Sequence, residues 1–161
     1  MLFSTKAEYG VRLMVELGRR AGDGPMDEAA PVALATVAES ESLPLSYLEH
    51  LVAKLREAGL VTSVRGAHGG YLLARPAEEI EMLEVVQVLE GPITPMECFQ
   101  PDREGRVLCS HETDGDNCAT KLLWTRVQGG ISKALTGTSL AELVEFAGRH
   151  ASSPEVASTA A

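Results

Sequence analysis

The stretch Leu45-Ser46-Tyr47-Leu48-Glu49-His50-Leu51-Val52-Ala53-Lys54-Leu55-Arg56-Glu57-Ala58-Gly59 runs directly into Leu60-Val61-Thr62-Ser63-Val64-Arg65-Gly66-Ala67-His68-Gly69-Gly70-Tyr71-Leu72-Leu73-Ala74, and its reading decides the fold. In the first half, Leu48, Leu51, Val52 and Leu55 recur at the spacing of a helix with one apolar face. Ser46 followed by Glu49 has the form of a capping box, and Gly59 suits a helix end, so a helix is predicted from Ser46 to Ala58. The period then changes. Leu60 to Val64 and Tyr71 to Ala74 read as two strands joined by a tip, Arg65 to Gly70, that holds three glycines.

Working upstream, Ser42-Leu43-Pro44 breaks the chain after a short predicted helix from Val32 to Ser40. Two short helices around so tight a break form a helix-turn-helix, whose second helix enters the DNA major groove. By itself the glycine-tipped hairpin is an ordinary hairpin; placed directly after a helix-turn-helix it reads as a wing. Arg65 in its tip then suits a narrow minor groove. A first helix is predicted from Thr5 to about Arg20, with Thr5 and Glu8 as a second capping box, and Ala21 to Pro31 is a turn-rich connector.

Downstream, Ile80, Leu83, Val86 and Leu89 predict a short helix stopped by Gly91 and Pro92. Residues 92–118 form a loop-like segment holding all three cysteines. Over residues 119–136, Leu123, Val127, Ile131 and Leu135 recur every four residues beside Leu122 and Trp124, the pattern of a long helix packing on a partner. Gly129 and Gly130 inside it cost about 1 kcal/mol each relative to Ala, a cost that close helix approach offsets, so a homodimer is expected. Ser139 with Glu142 opens a last helix through Phe146. The expected class is mainly α with a small β-wing. Residues 1–78 form a winged helix-turn-helix domain, 79–148 an effector region, and 149–161 a disordered tail.

The 161 residues carry a net charge of −9, which argues against bulk attraction to nucleic acid. The charge is uneven, however. Residues 1–75 hold eight Lys/Arg and nine Asp/Glu, whereas residues 76–161 hold six and fourteen. The first half can present a local basic face from Lys54, Arg56, Arg65 and Arg75, so binding should rest on placed contacts. No signal peptide or membrane-length apolar run is evident, and a cytoplasmic location without membrane attachment is expected.

Cys98, Cys109 and Cys118 lie within 21 residues, among Pro, Gly, Asp and His, in a C-x10-C-x8-C spacing. In a reducing compartment an odd, clustered set of thiols points to metal binding or redox chemistry rather than structural disulfides. Three soft thiolates suit an iron-sulfur cluster or zinc. Zinc held with His111 would be structural, and a metal-free switch would pair Cys98 with Cys109 or Cys118. His50, His68, His111 and His150 have no nucleophile or phosphate-binding constellation around them, so an enzyme is not expected.

The chain resembles the IscR and NsrR family of bacterial winged-helix regulators over about residues 1 to 148. The resemblance is carried by Ser4-Thr5-Lys6-Ala7-Glu8-Tyr9, Leu45-Ser46-Tyr47-Leu48-Glu49, Leu55-Arg56-Glu57-Ala58-Gly59-Leu60-Val61, Ser63-Val64-Arg65-Gly66, Gly69-Gly70-Tyr71-Leu72-Leu73, Glu84-Val85-Val86 before Glu90-Gly91, and Leu123-Trp124. It implies a homodimeric transcription factor, expected to be a repressor, on a palindromic operator of double-stranded DNA. Ser46, Tyr47 and Glu49 match the major-groove positions, and Arg65 and Gly66 the minor-groove ones. Lys54 and Arg56 are better suited to phosphates than bases. Glu49 can accept from a cytosine amino group.

The resemblance also implies an iron-sulfur cluster on Cys98, Cys109 and Cys118 that controls DNA binding, read as 2Fe-2S with 4Fe-4S left open. IscR-like members take their fourth ligand from a histidine three residues after the last cysteine, where this chain has Lys121. NsrR-like members take an acidic residue near the start of the first helix of the other subunit, where this chain has Glu8; His111 is the alternative fourth ligand. Redox state, nitric oxide and iron-sulfur supply are the signals such a centre would sense.

Overall fold

The computed structural model describes residues 3–22, 29–94 and 119–151, with His150 and Ala151 described by backbone alone. Helix α1 spans Thr5–Ala21, α2 Leu34–Ser40 and α3 Leu45–Glu57; strands β1, Val61–Val64, and β2, Gly70–Leu73, pair antiparallel; helices α4, Met82–Glu90, α5, Ala119–Thr136, and α6, Leu140–Ala151, follow. The mainly helical class with a small β-wing is therefore what forms. The cysteine segment and residues 152–161 lie outside the described residues.

Helix α1 is the strut of the fold. It packs against α2, α3, β2, α4 and α6, and Leu13, Met14 and Leu17 on it are essentially inaccessible to solvent. They meet Val37 of α2, Leu48 and Leu55 of α3, Leu60, Val85 and Leu89 in one continuous core. Gly10 sets how closely α4 approaches, because a Cβ at that position would fall 2.0 Å from Leu89 Cδ1. A side chain there would force the tip of Leu89 to move.

The start of α1 differs from the expected Thr5 and Glu8 capping box. Ser4 is the cap residue, its backbone extended at φ −100°, and its hydroxyl accepts from the Lys6 N–H at 3.2 Å. The Ala7 and Glu8 N–H groups donate to the Ser4 carbonyl at 3.1 and 3.4 Å, and a further acceptor comes from far along the chain. Glu90, the last residue of α4, accepts on Oε1 from the Ser4 N–H at 2.9 Å, the Ser4 hydroxyl at 2.5 Å and the Ala7 N–H at 3.2 Å. A carboxylate at a helix N-terminus satisfies orphan donors and complements the helix dipole. Glu8 is left free of this role and exposed.

Two further differences concern element ends. Val32 does not open a helix but forms an isolated bridge to Tyr71, with Val32 N–H to Tyr71 O at 3.0 Å and Tyr71 N–H to Val32 O at 2.9 Å. Helix α6 begins as expected, with the Glu142 N–H donating to Ser139 Oγ at 3.2 Å, but runs beyond Phe146 to Ala151. It extends because it packs along α1, where Val144 rests against Gly18. By contrast α5 occupies the expected 119–136 span and has no buried residue.

Burial pushes the Glu90 carboxyl up, but the Ser4 hydroxyl, the Ser4 and Ala7 N–H groups and the Lys6 charge outweigh this and hold it below its ordinary value. A depressed carboxylate stabilises the fold above the unfolded pKa of about 4.3 and loses that contribution as pH falls through the folded value. Glu90→Gln is expected to cost about 1.5–3 kcal/mol at neutral pH, the range for hydrogen bonds to a charged group. Thermal melts of both proteins between pH 7 and pH 3 check this: the gap between them should narrow toward acid.

Candidate nucleic-acid interface

Burial of Leu48, Leu51, Val52 and Leu55 fixes the rotation of α3 about its axis. The opposite face is consequently exposed and carries Ser46, Glu49, His50, Lys54, Arg56 and Glu57. The expected Ser46 and Glu49 capping box does not form. Pro44, at φ −65°, is the cap residue with no side-chain bond, and α3 starts at Leu45. Proline's fixed φ is already suited to a helix start, which puts Ser46 inside the first turn. Glu49 is left with no hydrogen bond or ion pair to any described residue, an unengaged acceptor on the outer face. Tyr47 is half buried, its ring edge-on to Tyr9 with centroids 5.8 Å apart and an interplanar angle of 89°.

The turn that delivers α3 is gripped by α1. Arg12 Nε donates to Glu41 Oε2 at 2.9 Å, and its NH2 donates to the Glu41 carbonyl at 2.6 Å. The next residue, Ser42, sits in the left-handed region at φ 53°, a conformation that costs a non-glycine residue roughly 1–2 kcal/mol. Arg12 therefore clamps the turn beside its least relaxed residue. Sequence reasoning passed over this contact, for which a charged position on an otherwise half-buried helix face was the only signal. Arg12 also lies 3.8 Å from Glu8, whose side chain is 64% exposed.

The wing pairs Val61 with Leu73, Thr62 with Leu72, Ser63 with Tyr71 and Val64 with Gly70. Val61 and Leu73 anchor its base in the core, while Arg65, Gly66, Ala67 and His68 stand exposed at the tip, Gly66 at φ 120°. Gly70 has a different task. A Cβ there would lie 2.4 Å from Val32 O and 2.5 Å from Val32 C, so only glycine lets Val32 pair as a third extended segment. Of the four cations expected on this face, Lys54, Arg56 and Arg65 are exposed, whereas Arg75 is bound to Glu84 across to α4.

Cys98, Cys109, Cys118 and His111 fall outside the described residues. Among the described residues no group of three or more His, Cys, Asp or Glu side chains could hold a metal ion. Lys121 lies on the exposed first turn of α5. No helix among the described residues is long and apolar enough to cross a membrane.

A helix-turn-helix whose second helix shows an unpaired polar face, followed by a cationic wing on the same core, defines a winged helix-turn-helix DNA-binding regulator. The chain belongs to the Rrf2 family, whose profile, described as an iron-dependent transcriptional regulator, matches residues 3–146. It is 35% identical over 146 residues to the HTH-type transcriptional regulator CymR of Bacillus subtilis, covering 91% of both chains. The solved structure of that protein, described as the global cysteine regulator, superposes with a TM-score of 0.71 over 91% of this chain and 98% of that one. IscR of Photorhabdus laumondii is 37% identical over 144 residues, 89% of this chain and 79% of the relative. The structure of T. potens IscR gives a TM-score of 0.71 at 35% identity, covering 96% and 93%. The relatives are transcriptional regulators, a role without catalysis, and regulators of this family bind DNA.

Gly70→Ala is expected to force Val32 off Tyr71 and lower stability by about 1–3 kcal/mol, the usual cost of an overpacked site. Chemical denaturation measures it. A Gly70→Ala protein as stable as wild type would mean the Val32 bridge is not a constraint on the wing.

Proposed function

We propose that this chain is a homodimeric transcriptional repressor that holds a palindromic operator with α3 in the major groove and the wing in the minor groove, and whose affinity is set by an iron-sulfur cluster. Ser46 and Glu49 face bases, Lys54 and Arg56 face phosphates, and Arg65 with Gly66 enters the minor groove. Tyr47 contributes at the groove edge. The observation that carries this reading is Glu49, an exposed carboxylate with no partner among the described residues, on the helix that also exposes Lys54 and Arg56. A carboxylate there repels phosphate unless it has a base donor to accept from, such as the cytosine amino group.

Dimerisation is supported by α5, which buries no residue in a single chain and leaves Leu122 and Leu123 each 56% exposed. The donor set supports the cluster: three thiolates from Cys98, Cys109 and Cys118 and the exposed Glu8 of the partner subunit, with His111 as the alternative fourth ligand. The cluster is of the 2Fe-2S type, with 4Fe-4S as its alternative. When bound, it would supply a redox- and ligand-sensitive centre. The likeness to IscR proteins and the iron-dependent description of the family agree with this. A second reading, a metal-free thiol switch among the same cysteines, draws support from the likeness to CymR.

Anaerobically purified protein is expected to be coloured and to contain iron and sulfide. Each single Cys→Ala change should abolish both, whereas Glu8→Ala should leave a cluster with an altered absorption spectrum. Colourless wild-type protein without iron would instead support the thiol switch.

Two changes test the assembly. Arg65→Ala should weaken operator binding by tenfold or more at fixed salt, roughly the 1–3 kcal/mol worth of a groove contact; unchanged affinity would remove the wing from the interface. Ile131→Glu should yield monomers or insoluble protein, because it places an unpaired charge at the dimer seam. Sedimentation showing an undisturbed dimer would exclude α5 from that seam.

A further inference from the structure

Leu45 is the first residue of α3 and remains 41% exposed, although every other leucine of that helix is buried. Single exposed leucines are common, but this one stands at a marked place. It precedes Ser46 and lies one turn ahead of Glu49, so Leu45 and Glu49 share a face at i, i+4 spacing. Leu45 also lies three and seven residues before the buried Leu48 and Val52, so this pair borders the core stripe, with both side chains exposed at the margin of the outer face. A helix that enters the major groove leads with its N-terminal residues, and here the leading side chain is apolar.

The major-groove edges of the four base pairs present donors and acceptors, with one apolar group among them, the C5-methyl of thymine. A leucine pressed against any other edge would strip water from a polar atom without replacing its hydrogen bond. The step from Leu45 to Glu49 is about 6 Å along the helix axis, close to two base-pair rises of about 3.4 Å.

We propose that Leu45 is a specificity residue that seats against the C5-methyl of a thymine within about two base pairs of the cytosine addressed by Glu49. This assignment rests on the DNA-binding reading above and adds to it one base of the half-site. The recognition unit of α3 is then a pair: an apolar contact that selects thymine, and a carboxylate one turn later that selects cytosine.

The test selects a duplex from a random library with the full-length protein, then replaces each thymine of the enriched half-site singly with deoxyuridine. That exchange removes the methyl and leaves every hydrogen-bonding atom in place. Wild-type protein should lose about fourfold in affinity at one thymine per half-site, the worth of one buried methyl-sized group. Leu45→Ala should bind the thymine and deoxyuridine duplexes equally well at that position, and Leu45→Met, which keeps an apolar side chain, should retain the discrimination.

The deoxyuridine series on wild-type protein decides the matter even if Leu45→Ala folds poorly. Thymines that all tolerate deoxyuridine, or an undiminished penalty in Leu45→Ala, would overturn the Leu45 assignment while leaving DNA binding intact. A library that yields no enriched duplex would overturn the DNA-binding reading itself, and the assignment with it.

Discussion

The close approach of α1 to its neighbours is the constraint on which everything else hangs. One helix, apolar on its inner side and reduced to hydrogen at Gly10, receives the helix-turn-helix, the wing, α4 and α6. Its position is enforced at two levels. Core leucines fix its depth, while polar contacts at either end fix its register: Glu90 at the N-terminal turn, and Glu16 near the C-terminal end. Glu16 is 2% exposed and accepts from Arg19, Arg20 and the Ser40 hydroxyl. Burying a carboxylate is costly unless it is paired, and here two guanidinium groups and α2 are drawn to it. The reading elements thus share one strut as well as their own contact between α3 and β1.

This arrangement explains how an acidic protein can present a DNA-binding face. The net charge of −9 is not spread evenly, and several carboxylates on the body are already committed: Glu41 to Arg12, Glu84 to Arg75, Glu16 to Arg19 and Arg20, and Glu90 to the α1 amides. Committed carboxylates consume cations too, which is why Arg75, basic by sequence, contributes little to the outer face. On α3 and the wing tip the exposed cations are Lys54, Arg56 and Arg65, whose value depends on position more than number.

Much of the fold was legible because local rules governed it. The 3.6-residue period of Leu48, Leu51, Val52 and Leu55, the switch to alternation after Gly59, and the four-residue spacing in α5 all depend on neighbours in sequence, and α3, the wing and α5 formed where those signals put them. The misreadings share a physical cause. Thr5 with Glu8 and Ser46 with Glu49 satisfy a local capping pattern, yet Ser4 with Glu90 and Pro44 took those roles, the first through a contact spanning 86 residues. Val32 was drawn into the sheet by Tyr71, 39 positions downstream, and no local periodicity encodes that. For the interface, the exposed residues of α3 and the tip were readable from the buried stripe alone. The Arg12 grip on Glu41 was not, because it depends on how two helices cross.

Glu90 has one more consequence. It is the last residue of α4, and Gly91 begins the departure toward the cysteine segment. A strain applied along that departure does not meet a compliant hinge; it meets a carboxylate oxygen already saturated by three donors. Withdrawing that oxygen would strand the Ser4 amide and hydroxyl, while the Ala7 N–H would keep the Ser4 carbonyl at 3.1 Å. The end of α4 and the start of α1 are therefore joined through one carboxylate, so that any displacement of Glu90 would be felt first at the cap of the helix on which the fold is built.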